Sequence, residues 1–274
     1  MRRGTGTQAK ACATWRVSLR GYAACGSVLC ERLVWGLSGL CVGGEPHFPK
    51  EDGIYPLSAE VLKVDAENPD RRTIRYAASW LRRGAVVAIP TDTLYALAAD
   101  PVNLAAVEEI FRVKGRPESR ALPILINSLA QARALSRDLP ANFYRLAQAC
   151  WPGPLTVVVE ASNRLPLKVT ANTRRIALRW PKNEVVCSLI EELGVPLTGT
   201  SANLTGSNTC ASAEEVMLQL GDRIPLILDT GEAGELVPST IVELRGENWC
   251  IGREGAIPAE IIQEALEGDD AVPA

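Results

Sequence analysis

The sequence predicts an α/β fold, a single domain of about 210 residues on a central, twisted mixed sheet with flanking helices. Three observations lead there. From Ser58 onward, short apolar runs rich in Val, Ile and Leu alternate with stretches of helical period. The 47% hydrophobic content is enough for a substantial core. Three late apolar runs then follow one another with no helix between them, which a purely parallel, doubly wound sheet does not allow.

Taken in order, "EVLKV" from Glu60 is the first strand. "NPDRRTIRYAASWLRRG" is a helix, with Asp70 as N-cap and Gly84 as its stop. "AVVAIP" (85–90) is a buried strand. Further strands are expected at 121–126 (ALPILI), 155–161 (LTVVVEA), 175–181 (RIALRWP), 195–200 (VPLTGT), 224–229 (IPLILD), 239–244 (STIVEL) and 249–252 (WCIG). Helices are expected between them at LAAVEEIFRVK, SLAQARALS, ANFYRLAQAC, NEVVCSLIEEL and SAEEVMLQL, and at the terminal PAEIIQEALEG. The domain is expected over 58–268, with 269–274 as a tail.

Residues 1–57 have a different texture. Over the first 49 of them Arg2, Arg3, Lys10, Arg16, Arg20 and Arg32 stand against Glu31 and Glu45, and four of the eight cysteines fall here. They read as a basic, poorly ordered extension, either a targeting peptide or a leader read from an early start codon. No apolar run reaches the roughly 18 residues of a membrane span, so no membrane partner is expected.

Composition removes several classes of chemistry. The only histidine is His47, so a histidine base, a zinc pair of histidines or a two-histidine iron site lacks material. The cysteines contain no C-x-x-C, which points to reduced, structural thiols and a cytoplasmic compartment. A net charge of -3 argues against coating nucleic acid through bulk charge and leaves room for a local basic groove. There is no Gly-Lys pair for a Walker loop, and no G-x-G-x-x-G follows a strand, so a phosphate site must be built from side chains and other loops.

Four polar constellations sit at strand ends. In "IPTDTLYALAAD" Thr91 and Thr93 follow Pro90 where open α/β sheets hold ligands, although Thr and Asp also suit a turn or a helix cap. "RVKGRPESRAL" packs Arg112, Lys114, Arg116 and Arg120 around Gly115 and Pro117, as an anion site or a solvated face. Arg179 ends the apolar run "RIALRWP", where burial demands a carboxylate or phosphate partner, supplied by a ligand or by a structural salt bridge. "LTGTSANLTGSNT" can present hydroxyls and backbone N–H groups to an anion or be a plain turn.

Together with "WPGPLT", "STIVEL" and "REGAI", and in this order, these motifs resemble the YrdC/TsaC family of threonylcarbamoyl-AMP synthases over about Val61 to Ala265. Each motif alone is weak, and the ordered set is specific. The resemblance implies a YrdC-like fold around a concave basic cavity. It also implies a reaction joining L-threonine, bicarbonate and ATP into threonylcarbamoyl-AMP and pyrophosphate, for threonylcarbamoyladenosine at tRNA position 37.

By that resemblance Lys114 and Arg116 grip the ATP phosphates and form the catalytic pair. Ser201, Asn203 and Thr209 bind the nucleotide, and Arg253 adds a cation on the ATP side. Thr91 contacts the substrate threonine, Arg179 clamps its carboxylate and Ser239 completes that pocket. Asp92 is left outside the catalytic set. Mg²⁺ is expected to be held mainly through the ATP phosphates, with no metal site of the protein's own. A threonylcarbamoyl transferase complex is the expected downstream partner, and tRNA or double-stranded RNA a further one. Ala96 stands where the family has Gly, which implies an altered turn or a helical residue there. A non-catalytic RNA-binding protein of the same fold is the alternative reading.

Overall fold

The computed structural model describes residues 58–115, 120–234 and 236–267; the extension 1–57 and the tail 269–274 lie outside them. The described chain is a mixed α/β structure. Two sheets replace the single central sheet expected, and both mix parallel with antiparallel pairing.

The order along the chain is β1 (Glu60–Lys63), α1 (Arg71–Arg82), β2 (Val87–Ile89), β3 (Ala96–Ala98), α2 (Leu104–Lys114), β4 (Ile124–Leu125), α3 (Leu129–Leu135), α4 (Ala141–Cys150) and β5 (Leu155–Glu160). There follow β6 (Arg175–Arg179), α5 (Glu184–Leu193), β7 (Leu197–Thr198), β8 (Thr200–Ser201), α6 (Ala213–Leu220), β9 (Leu226–Asp229), β10 (Thr240–Arg245), β11 (Asn248–Arg253) and α7 (Ala259–Glu267). The first sheet runs β1-β9-β2-β3-β8 and the second β11-β10-β5-β6-β4-β7.

Local chemistry sets the element ends. The Asp70 carboxylate accepts from the backbone N–H of Arg72 and Thr73, so α1 begins where the cap satisfies its first free donors. Asn103 does the same for α2, which stops at Gly115 in the left-handed conformation that glycine adopts without strain.

The unbroken apolar run of β2 has a clear cause. Val87 and Ile89 pack into one core cluster, and Val86 and Ala88 into the other, so both faces of the strand are covered. Against the first face lie α1 through Ile74, Ala77, Ala78 and Leu81, and α5 through Val185, Val186, Leu189 and Ile190. Truncating a side chain such as Leu189, fully buried here, costs about 2–5 kcal/mol in settings of this kind.

Two expectations are corrected. The residues after Thr93 form β3, antiparallel to β2, and Ala96 is an extended strand residue opposite Ser201. An extended position accepts a methyl group, so alanine fits there with neither a special turn nor a helix. The run 195–200 is not one strand. It divides at Gly199, with β7 joining β4 in the second sheet and β8 joining β3 in the first. A Cβ on Gly199 would stand 2.5 Å from Leu125 Cγ, so only glycine lets the backbone pass between the sheets here.

Candidate active site

A cavity of about 430 Å³ lies between the two sheets. The first sheet contributes Ala96, Thr200 and Ser201; the second contributes Thr156, Val158, Ala177, Arg179 and Ile241. The alternation of side chains along a strand explains the set, since 156 and 158, or 177 and 179, must share a face. Thr91, Lys114, Arg179, Ser201, Asn203, Thr209, Ser239 and Arg253, drawn from distant parts of the sequence, all line it. Arg116, the remaining residue named from the sequence, lies outside the described residues.

At one end Arg179, only 8% exposed, closes β6. Its guanidinium donates to Asp92 Oδ1 at 2.6 Å and to Thr93 Oγ1 at 3.0 Å. Burial pulls the Arg179 pKa below its ordinary value, with Asp92 opposing that shift and the charge of Arg253 adding to it. Arginine still stays charged. Arg179 Nε and Asp92 Oδ2 are buried with no protein hydrogen-bond partner. The two readings of Thr91 combine: its hydroxyl closes the turn, donating to Leu94 O at 2.6 Å and accepting from the N–H of Thr93 and Leu94, while the residue lines the cavity.

Ser239 and Arg253 meet at the junction. Arg253 donates to the Ser239 carbonyl at 2.7 Å and to its hydroxyl at 3.2 Å, and that hydroxyl lies 2.8 Å from Thr156 Oγ1. The segment carrying Arg253 is anchored by Ala256 N–H on Pro238 O, at 2.9 Å, and by the Thr240 hydroxyl on Ile257 O, at 2.7 Å. Burial also lowers the Arg253 pKa.

At the other end Lys114, at the tip of α2, points into the loop after β8. Its ammonium donates to Asn203 O at 2.8 Å, to Asn203 Oδ1 at 3.1 Å and to the carbonyl of Ser201. Ser201 Oγ donates to Asn203 Oδ1 at 2.6 Å, and Asn203 Nδ2 to Ser207 O at 2.7 Å.

Lys114, Arg120, Arg179 and Arg253 bring positive charge to the described lining, which contains no Asp or Glu. Such a surface attracts anions. Among the described residues no group of three or more His, Cys, Asp or Glu is placed to hold a metal. The described lining offers hydroxyls, amides and cations.

Sequence reasoning passed over Thr156, the structural partner of Ser239, and the pairing of Asp92 with Arg179. The second had a signal: a carboxylate between two threonines at one strand end and an arginine at the end of another apolar run.

A mixed α/β fold with a cation-lined, hydroxyl-rich cleft between two sheets defines a binder of small anionic ligands. Comparison with known proteins makes this specific. The Sua5/YciO/YrdC family, described as "Telomere recombination", matches residues 79–255. The chain belongs to that family. It is 36% identical over 193 residues to the threonylcarbamoyl-AMP synthase of Pyrococcus abyssi, covering 70% of this chain and 57% of that protein. It is 35% identical over 174 residues to the threonylcarbamoyl-AMP synthase of Vibrio cholerae, covering 63% and 93%. The crystal structure of P. abyssi Sua5 complexed with L-threonine superposes with a TM-score of 0.73 at 35% identity, covering 77% of this chain and 61% of that one. The chain thus spans little more than half the length of its P. abyssi relative.

Proposed function

We propose that the chain is an L-threonylcarbamoyladenylate synthase, a nucleotidyltransferase that condenses L-threonine, bicarbonate and ATP and releases pyrophosphate. One observation carries the reading: the buried cation of Arg179 and a polar loop at Ser201–Thr209 line one cavity whose described lining is free of acids. Relatives named for the same activity, and one solved with L-threonine, support it.

In this reading Arg179 binds the threonine carboxylate, with Thr91 and Ser239 completing the pocket. The amine adds to bicarbonate with loss of water, giving a carbamate. A carbamate oxygen then attacks the α-phosphorus, and the bond to pyrophosphate breaks. Negative charge approaches negative charge, so fixed cations and alignment supply the catalysis. Arg253 and Arg120 serve the phosphates. Arg116 joins them by its place in the KGR motif, with Lys114 at the head of the same motif. Ser201, Asn203 and Thr209 hold the nucleotide. Mg²⁺, when bound to the triphosphate, neutralises part of its charge.

No helix among the described residues is long and apolar enough to cross a membrane. A cytoplasmic setting, beside tRNA and the transferase that consumes the adenylate, accords with that reading.

The test is an assay of the full chain with labelled bicarbonate, threonine and ATP. Threonine-dependent release of pyrophosphate with formation of the labelled adenylate is expected. Salt-sensitive tRNA binding with no such turnover would overturn the reading in favour of an RNA-binding protein.

A further inference from the structure

Lys114 opens the KGR motif that resemblance assigns to the phosphates, yet its ammonium is held by the loop after β8. The residue is 4% exposed, and its ammonium donates to Ser201 O, Asn203 O and Asn203 Oδ1. Its own carbonyl accepts from Thr205 N–H at 3.0 Å. One residue therefore grips the loop twice, by side chain and by backbone, at the point where α2 ends.

Other bonds tie the loop at its two ends, Ala202 N–H to Tyr95 O at 2.9 Å and Gln219 Nε2 to Asn208 O at 2.9 Å, with Leu204 N–H on Gln219 Oε1 at 3.1 Å; Lys114 holds the stretch between Ser201 and Thr205. From Ser201 to Asn208 the loop is mostly irregular backbone, and Gly206 sits at φ 90°. The carbonyls of Ser201 and Asn203, two residues apart, face the same buried cation, beside the Ser201–Asn203 and Asn203–Ser207 hydrogen bonds.

We infer that Lys114 is a positioning residue: it acts on the nucleotide through the Ser201–Asn208 loop, which it fixes to receive the nucleoside half, and not through a direct contact with phosphate. This deepens the synthase reading and rests on it. The task of neutralising the triphosphate then falls to the arginines, among them Arg120, which is exposed at the cavity.

The two roles predict different patterns on a ladder of ligands. Titrate wild type, Lys114→Met and Lys114→Gln with adenosine, AMP and ATP by calorimetry. As a positioning residue, Lys114→Met weakens all three by a similar factor, about tenfold to a hundredfold for lost bonds to a charged donor. Lys114→Gln, which keeps an amide donor without the charge, recovers part of that loss. Arg120→Ala, in contrast, shows a loss that grows from adenosine to ATP. Hydrogen exchange over 201–208 rises in Lys114→Met, which a phosphate contact alone would not cause.

An adenosine affinity left unchanged in Lys114→Met while ATP binding falls, with no gain in exchange over 201–208, overturns the inference. If Lys114→Met does not fold, the same ladder on Lys114→Gln decides. Wild-type protein that binds neither AMP nor ATP would instead defeat the synthase reading on which the inference stands.

Discussion

Asp92 and Arg179, 87 positions apart in sequence, form an ion pair at 2.6 Å with side chains only 13% and 9% exposed. The pair holds the end of β6 against the turn after β2, and it aims the guanidinium along the cavity wall. A buried cation with a fixed partner keeps one orientation, which is what recognition of a planar carboxylate needs.

Replacing Asp92 with Asn strips that counter-charge from a buried arginine. The expected cost is about 3–5 kcal/mol of stability, read by urea denaturation. Threonine binding should weaken at least as much as ATP binding. A variant as stable as wild type would show that the pair contributes nothing net.

Arg253→Gln is expected to raise KM for threonine and for ATP by about tenfold each, because Arg253 touches Ser239, proposed above for the threonine pocket, and is itself proposed to serve the phosphates. An effect confined to ATP would place the two compartments further apart than this contact indicates.

Gly199→Ala places a methyl group 2.5 Å from Leu125 Cγ and 2.6 and 2.9 Å from its two methyl carbons. Overpacking at such a site costs about 1–3 kcal/mol. Thermal melting should show that loss, and loop residues 201–208 should exchange faster, since the strain falls two residues before Ser201. A smaller partner, Leu125→Ala, should recover part of it in the double variant.

The cysteines give a pH-dependent test. Cys210 is fully buried and its thiol is pushed up to about 11, first by burial and then by the charge of Glu215. Cys250 is exposed. Alkylation at pH 8 followed by peptide mapping should modify Cys250 in the native protein and Cys210 only after unfolding. A folded pKa above the unfolded one means that the neutral thiol favours the folded state. That contribution is complete below about 9 and declines as pH rises toward about 11. Cys210→Ala should remove this part of the alkaline instability.

Much of the architecture was legible because it rests on local chemistry. The Asp70 cap, the Gly84 stop and the 3.6-residue period of α2 place their elements within two residues of where they stand. β3 was hidden because Ala96, Leu97 and Ala98 carry little strand signal; pairing with β2 and β8 decides their conformation. The division into two sheets was hidden for a similar reason, since Gly199 reads as an ordinary turn glycine until Leu125 is beside it. At the site, the ordered motifs named residues that line one cavity, Arg116 lying outside the described residues. Their partners were not legible: the carbonyls that hold Lys114 leave no mark in a sequence, because every residue has one.

The passage of the chain from β7 to β8 limits how this protein can be cut or rewired. Leu197 to Ser201 serves both sheets, and a fragment ending at Gly199 would lose strands from each, β8 and β9 from the first and β10 and β11 from the second. New termini for a circular permutant, or an inserted reporter, belong instead at the exposed β10–β11 turn, where Gly246 already takes a positive φ.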